Sequence, residues 1–443
     1  MPPQSRSPAG AERFRSLNLR DGAPRMASRI EQLQNLLGET LQWSEPADQG
    51  LSRWTRAHPY LGARDRAELT DALFNVLRHL RRYRSLAQSG TGPSARRLAL
   101  LGLDATLPRE SLEAGLEESE REWLQHIRQI DVASLPPAVR YSVPDWLYER
   151  LSPLDDSARL LEALNEPATL DLRVNPLKAA RDDMLARLAA GSASAWSLAP
   201  TPYSSWGIRV DGRPPILRWP EYEKGEIEVQ DEGSQILVSL VAPRRGEMII
   251  DYCAGAGGKT LLLGALMRST GRLYAFDVSQ ARLARAKPRF ARSGLSNIVP
   301  VVIAPSNDQR VKRLRGKAQR VLVDAPCSGI GTLRRNPDLK WRQHPEAIAE
   351  YVALQCRILE DAARCVAPGG RLVYATCSLL PEENEQRVEA FLQAHPDFTL
   401  LDAAAIARER CPGLEMEGPW LKLRPDLHRT DGFFAAVMEK RKP

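Results

Sequence analysis

From Gly225 onward the chain alternates short apolar runs, glycine-bearing turns and long amphipathic stretches, and this alternation restricts the possible folds more than any other feature. EMIIDYCAGAGGKTLLLGALM reads as a buried strand, a glycine turn and a helix, and GRLYAFDVSQARLARAKPRF repeats strand into helix. AQRVLVDAPCSG supplies a third strand and turn. AIAEYVALQCRILEDAARCVAPGG reads as a long helix ending at Gly369 and Gly370, and RLVYATCS as the next strand. Strand–helix–strand crossovers in one sheet lay the strands parallel. The expected fold is therefore α/β, a Rossmann-like doubly wound parallel domain over 226–441 with its ligands at the carboxyl ends of the strands. Lys287-Pro288 predicts a kink or an early end in the second of these helices.

A chain of 443 residues exceeds what one core usually holds, so further domains are expected upstream. Residues 1–24 read as a flexible basic lead without the apolar centre of a signal peptide. Over 25–130 the apolar residues fall on helical stripes, Ile30, Leu33, Leu36 and Leu37 on one and Leu69, Leu73, Val76, Leu77 and Leu80 on another, which predicts an all-helical domain. Pro136, Pro137 and Pro144 interrupt that periodicity. Over 131–225, TLDLRVNPLK alternates with period two and RDDMLARLAAG supplies a helix, predicting a small α+β auxiliary domain.

A composition of 43% hydrophobic and 26% charged residues is that of a soluble globular protein, and no apolar run is long enough to span a membrane. The formal charge of +7 fits a polyanionic partner without requiring one. Arg78 and Arg82 lie with two further arginines on one helical tail that could follow phosphates. None of the six cysteines precedes Cys253 and no CxxC pair occurs, so reduced thiols in a cytoplasmic protein are expected rather than disulfides or structural zinc. The six histidines show no metal-ligand spacing, and no metal is expected. The chain has enough core to stand as a monomer.

Three motifs carry chemistry. In DYCAGAGGKT, Gly255, Gly257 and Gly258 follow a strand directly, where only glycine allows so tight a turn and so close an approach to a nucleotide-like ligand. Asp277 lies 26 residues after Asp251 at the end of the second strand, where a carboxylate can accept both ribose hydroxyls. These features leave NAD and S-adenosylmethionine open. In LVDAPCSGIGTLRRNPDLKW, Asp324 and Cys327 converge on the same ligand position, followed by Arg334, Arg335, Lys340 and Arg342 around Trp341, a pattern that suits a stacked base and its phosphates. LVYATCSLLPEENE puts Cys377 at the mouth of another strand.

Two thiols, one carboxylate and a cofactor turn fit one reaction. Carbon 5 of cytosine is a poor nucleophile until a thiolate adds to C6, after which it can take an electrophilic methyl group. Asp324, with a pKa raised by an apolar pocket, could hydrogen-bond N3, and the second thiol could assist release. Composition does not say which thiol attacks. Cys356, Cys365 and Cys411 read as packing residues.

QDEGSQ, DYCAGAGGKT, DAPCSGIGTLRRNPDLKW and ATCSLLPEENE together resemble the RNA cytosine-5 methyltransferase family, most closely its bacterial branch acting on small-subunit (16S) ribosomal RNA, over roughly 25–440. The resemblance implies S-adenosylmethionine as cofactor, Cys377 as the thiol that attacks C6, and Cys327 as the thiol needed for product release. It sets Cys253, Ala254, Gly255, Ala256, Gly257, Gly258 and Lys259 against the cofactor, Asp277 on its ribose, and Asp324 near cofactor and base. Arg282 and Asp308 complete the candidate cofactor set. RVNPLK, with Arg173 and Lys178, resembles the family's auxiliary RNA-contact module. DRAELTDALFNVLRHLRRY resembles an amino-terminal helical domain related in fold to a transcription antitermination factor.

One departure stands out. After GLSNI the family carries an acid that contacts the adenine, whereas here VPVVIAPSNDQR puts Ala304 or Pro305 at that position and Asp308 slightly late. Either Asp308 substitutes through a longer loop, or packing holds the adenine. Three competing readings follow: a catalytically weak ribosome-assembly factor that binds RNA, a methyltransferase acting on transfer RNA, and an NAD-dependent oxidoreductase that leaves the paired thiols unexplained.

Overall fold

The computed structural model describes residues 22–416 and 418–442. The chain forms two compact units. One runs through Glu149 and takes in Asn336–Arg342; the other comprises Arg150–Arg335 and the chain from Gln343.

The first unit is helical and extends past the expected boundary at 130. Its main helices are α1 (Gly22–Thr40), α2 (Ala47–Ala57), α3 (Ala63–Leu86), α4 (Ser94–Thr106) and α5 (Glu118–Arg128). The two stripes read from the sequence, on α1 and α3, are buried together with Leu98, Leu100 and Leu103 of α4. Each fully buried leucine contributes about 1.5–3 kcal/mol.

Helix α3 is not regular throughout. His79 has φ −109° and ψ 19°, outside helical geometry. An unbroken ladder would pair the amides of Arg81 and Arg82 with the carbonyls of Leu77 and Arg78. Here both amides donate to Ser142 Oγ at 3.0 and 3.5 Å. The Leu77 carbonyl accepts from Trp341 Nε1, and the Arg78 carbonyl from Lys340 Nζ, each at 2.7 Å. Side chains inserted into the ladder account for the kink. Burial, reinforced by Arg82, Lys340 and Arg78, pushes the His79 pKa down to about 3, so its neutral ring accepts from Arg82 at 2.9 Å.

In the second unit, β1 (Leu170–Val174), β2 (Leu198–Pro200), β3 (Gly207–Val210) and β4 (Ile227–Val229) form an antiparallel sheet in the order β2-β3-β1-β4. Leu172 and Val174 pack with Met184 and Leu188 of α6 (Arg181–Ala190), as their period-two spacing predicts. The last strand lies past position 225.

The larger sheet contains β5 (Met248–Asp251), β6 (Arg272–Asp277), β7 (Ile298–Val302), β8 (Ala318–Asp324), β9 (Val366–Thr376), β10 (Phe398–Leu401), β11 (Trp420–Leu423) and β12 (Phe433–Lys440). Its order is β10-β12-β9-β8-β5-β6-β7, with β11 also paired to β12. The five strands from β7 to β9 are parallel, but β12 runs antiparallel to β9, and β10 and β11 antiparallel to β12. The sheet is therefore mixed rather than wholly parallel. Helices α7 (Glu232–Val241), α8 (Gly258–Leu266), α9 (Gln280–Ser293) and α10 (Pro345–Ala363) belong to this unit.

Two local expectations are corrected. Helix α9 continues through Pro288 to Ser293 instead of ending early. Helix α10 ends at Ala363, and Gly369 and Gly370 fall inside β9. They belong to an irregularity there: Ala318 pairs Val366 and Arg320 pairs Arg371, so residues 367–370 stand opposite Gln319 alone. A Cβ on Gly370 would lie 2.7 Å from the Ala367 carbonyl oxygen, which is why glycine is needed in this bulge. No helix among the described residues is long and apolar enough to cross a membrane.

Replacing Trp341 by Phe keeps the ring but strands the Leu77 carbonyl. A loss of about 1–3 kcal/mol is expected for such a buried acceptor, read as a lower urea midpoint for the helical signal. An unchanged midpoint would show that the kink does not depend on this bond.

Candidate active site at the carboxyl ends of the central strands

The chain builds β5, β6 and β7 outward in one direction and then returns to place β8 on the other side of β5. This reversal leaves a crevice at the carboxyl ends of β5 and β8, where open α/β sheets bind ligands.

On one side of the crevice the turn after Asp251 leads into α8. Gly255 (φ +58°) and Gly257 (φ +81°) are both left-handed. A Cβ on Gly257 would sit 2.5 Å from Phe290, whereas one on Gly255 would meet nothing within 4 Å. Gly257 thus serves the packing of α8 on α9, while the space over Gly255 is open to a ligand. Asp277 is fixed by the Gly255 and Ser279 amides, which donate to its two oxygens at 2.9 and 2.7 Å. It lines a cavity of about 110 Å³ with Cys253, Val278, Ile303, Ala304, Pro305 and Leu354. Arg282 stands half-exposed at the rim, 3.6 Å from Asp277. Ala254 and Ala256 take part through the backbone: the Ala254 amide donates to the Phe276 carbonyl, and the Ala256 carbonyl accepts from Arg289.

Asp308 does not line the cavity that Asp277 lines. Its oxygens accept from the Ala304 amide at 2.8 Å, the Arg310 amide at 2.7 Å and the Arg310 guanidinium. It lines a neighbouring cavity of about 420 Å³ instead, and the Arg310 pairing holds its carboxyl well below the usual range. The wall at Ala304 and Pro305 is apolar.

On the other side, β8 and β9 pair in parallel with Asp324 opposite Ala375. This register brings the two following turns together, and Cys327 Sγ lies 3.4 Å from Cys377 Sγ. The bond with Cys377, together with burial, pushes the Cys327 thiol well above its ordinary range. Lys259 Nζ donates to Asp324 Oδ2 at 2.6 Å. Burial opposes the Lys259 charge, but Asp324, Cys377 and Asp251 more than offset it, and the ammonium is held above its ordinary range. Lys259, assigned from the sequence to the cofactor alone, is thus paired with Asp324.

Glu383, fully buried, was not singled out from the sequence. It accepts from the Ser328 amide at 2.8 Å, Ser328 Oγ at 2.6 Å, Gln355 Nε2 at 3.0 Å and Ser378 Oγ. Ser328 and Ser378 each follow a site cysteine directly, so the repeated Cys-Ser pair was the available signal.

Four of the basic residues assigned to RNA turn inward. Arg173, 2% exposed, donates to Gln230 and the Gly258 carbonyl; Lys340, 1% exposed, donates to the Arg78 carbonyl; Arg334 donates to the carbonyls of Thr430 and Pro167; Arg78 is buried. Their place in the interior excludes them as surface phosphate contacts. Trp341, bonded to the Leu77 carbonyl, packs partly buried against the helical core. Arg335 bridges Asp231 and Asp431, and Arg82 rests on His79. Lys178 is exposed, although its Nζ reaches the carbonyls of Lys224 and Arg292.

Residues 238–439 match the family described as 16S rRNA methyltransferase RsmB/F, and residues 143–216 match the ferredoxin-like domain of RsmF/B-like methyltransferases. The chain is 31% identical to the probable ribosomal RNA small subunit methyltransferase B of Synechocystis sp., over 89% of this chain and 95% of that protein. It is 36% identical to the ribosomal RNA small subunit methyltransferase B of Citrobacter koseri, over 68% of this chain and 67% of that protein. The crystal structure of a methyltransferase homolog protein from Pyrococcus horikoshii is similar at a TM-score of 0.57 and 30% identity, covering 69% of this chain and 100% of that one. The chain belongs to the RsmB/F family of 16S rRNA methyltransferases.

The crevice of this RsmB/F family member fits S-adenosylmethionine. Open space over Gly255 suits the methionine portion, the fixed Asp277 carboxylate suits ribose hydroxyls, and the apolar wall from Ile303 to Pro305 suits a purine. Among the described residues no group of three or more His, Cys, Asp or Glu could hold a metal ion.

Beneath the glycine turn, Asp251 is buried with Thr260 Oγ1 donating to Oδ2 at 2.7 Å, and burial pushes its carboxyl from 3.8 up to about 7. The folded state then keeps a proton that the unfolded chain loses, so stability falls as pH rises from about 4 to about 7. Asp251→Asn removes this component, on the order of a few kcal/mol. The expected result is a flatter dependence of unfolding free energy on pH across that window than in the wild type. Identical slopes would overturn the assignment.

Proposed function

We propose that this protein transfers a methyl group from S-adenosylmethionine to carbon 5 of a cytosine in 16S ribosomal RNA, through a covalent bond between Cys377 and C6. The observation that carries this reading is the contact of the Cys327 and Cys377 thiols, 3.4 Å apart, beside the Lys259–Asp324 pair. S-adenosylmethionine, held by the glycine turn and Asp277, supplies an electrophilic methyl group.

Cys377, having given up its proton, adds to C6 as the thiolate. The charge that develops on the ring is met by the Lys259 ammonium, which passes a proton toward N3 and is held in place by Asp324. This makes C5 the nucleophilic carbon of an enamine. After methylation the proton on C5 must leave, the C5–C6 double bond must re-form and the C6–Sγ bond must break. Cys327 lies where it can protonate the departing Cys377 sulfur and take up the C5 proton, directly or through water. The N3 proton returns to Lys259, and the net proton released is the one Cys377 gave up before attack.

The helical unit and the β1–β4 sheet are read as RNA-contact modules, with Lys178 and the partly exposed Arg82 and Arg335 as the remaining basic candidates. The target cytosine must leave its stack, since C6 has to meet a half-buried thiol. A monomer acting in the cytoplasm on ribosomal RNA completes the reading.

The test is to incubate wild type, Cys377→Ala and Cys327→Ala with labelled S-adenosylmethionine and 16S rRNA, scoring 5-methylcytosine and protein–RNA adduct. Wild type should form product. Cys377→Ala should lose product and adduct by about a thousandfold or more, and Cys327→Ala should accumulate adduct. Full methylation by Cys377→Ala would remove it as nucleophile. Transfer RNA methylated in place of rRNA would correct the substrate.

A further inference from the structure

Both thiol-bearing turns close on one buried side chain. Glu383 lies in the turn after β9, six residues past Cys377, and its two oxygens take four donors, none of them cationic. Two of the donors come from Ser328, next to Cys327, and one from Ser378, next to Cys377. The fourth is Gln355 of α10, which also donates to the Pro326 carbonyl at 2.9 Å, in the residue before Cys327. The Ser328 and Ser378 hydroxyls are themselves 3.1 Å apart. The Glu383 carbonyl accepts from Tyr374 of β9 at 2.7 Å, so the clamp is anchored to the sheet from the backbone side.

Such an arrangement is costly unless it does something specific. A carboxylate buried without a cationic partner keeps its desolvation penalty and is offset only by its hydrogen bonds. Packing alone could be met by an apolar residue of similar volume. What an apolar residue could not do is accept from both turns at once.

We propose that Glu383 is a positioning residue for the covalent chemistry: by accepting from both thiol-bearing turns it sets the separation of Cys327 and Cys377, and it places negative charge on the Cys327 side. This rests on the covalent reading given above. The groups facing the Cys327 thiol are Cys377, Glu383 and Tyr374, with the Gly329 amide opposing them. Removing the Glu383 charge therefore makes Cys327 easier to ionise, while removing its acceptors lets the turns separate. The two effects are separable by substitution. A Gln at 383 keeps the shape, and its amide group can donate to both serine hydroxyls, which reverse their polarity. An Ala keeps neither.

The experiment uses the full chain and three readouts that do not require RNA methylation: cross-linking of Cys327 to Cys377 by dibromobimane, site-resolved iodoacetamide alkylation against pH, and calorimetric binding of S-adenosylmethionine. Turnover on rRNA is a fourth. For Glu383→Gln, cross-linking should match wild type, and the Cys327 alkylation profile should move down by about one pH unit, roughly tenfold faster at neutral pH. For Glu383→Ala, cross-linking should fall about tenfold and kcat about a hundredfold, with cofactor affinity and KM for RNA little changed. Wild-type cross-linking in Glu383→Ala, or an unmoved Cys327 profile in Glu383→Gln, would overturn the proposal. Should Glu383→Ala fail to fold, Ser378→Ala removes the single donor from the Cys377 turn. It should lower cross-linking at least about threefold, and no change would overturn the proposal equally. If wild type cross-links and the variants shift as described while no 5-methylcytosine forms on RNA, the positioning role stands and the covalent reading fails.

Discussion

The site depends on the register between β8 and β9. Pairing Asp324 with Ala375 brings two turns, fifty residues apart in sequence, to the same end of the sheet, and the Ala325 amide continues the ladder by donating to the Ala375 carbonyl at 2.8 Å. A slip of one residue would turn every side chain of one strand to the opposite face. Asp324 would then leave Lys259, and the two thiols would no longer meet. The bulge at residues 367–370 lies at the start of β9, away from the thiols, and absorbs the length mismatch there. Strand alignment near the thiols is thereby left regular.

Above this register the turns are tied by backbone bonds as well as by the Glu383 side chain. The Gly331 amide donates to the Cys377 carbonyl, and the Gly432 amide to the Gly331 carbonyl, each at 2.8 Å. A Cβ on Gly331 would lie 2.2 Å from the Gly432 carbonyl oxygen, so three chain segments approach as closely as glycine permits. Beside them Arg335 joins Asp231 to Asp431, linking the start of α7 to the turn before β12. The strand that runs antiparallel in an otherwise parallel sheet is thus part of the support for Cys377. The direction of β12 could not be foreseen from the alternation of strands and helices, because alternation continues to the end of the chain and does not say which way the last strand enters the sheet.

The catalytic domain was legible in the sequence where local rules act alone. Strand–turn–helix alternation located β5, β6 and β8 along the chain, and glycine spacing marked the tight turn after β5, because both follow from backbone sterics within a few residues. The resemblance in the PCS and TCS motifs pointed to the two thiols. What escaped were features that require knowing which distant segment arrives. Gly369 and Gly370 looked like a helix stop and are a bulge. Pro288 looked like a helix breaker, yet α9 continues through it. Glu383 looked like one acid among several in PEENE, and its role exists only because Ser328 and Gln355 reach it from other elements.

The basic residues show the same limit most clearly. A charge of +7 and clusters such as RRNPDLKW invite a reading as phosphate contacts. A guanidinium, however, has five donors in a rigid fork and is equally suited to capturing carbonyls and carboxylates inside a fold. Arg173 ties the auxiliary sheet to the first residue of α8, at the Gly258 carbonyl, and Arg289 ties α9 to the Ala256 carbonyl two residues earlier. Arginines therefore hold the glycine turn while the space over Gly255 stays open. A glycine turn has no side chains with which to brace itself, so its shape must be imposed from outside. Arg173 and Arg289 have that role here, and the burial of Arg173 is what removes it from the set available to RNA.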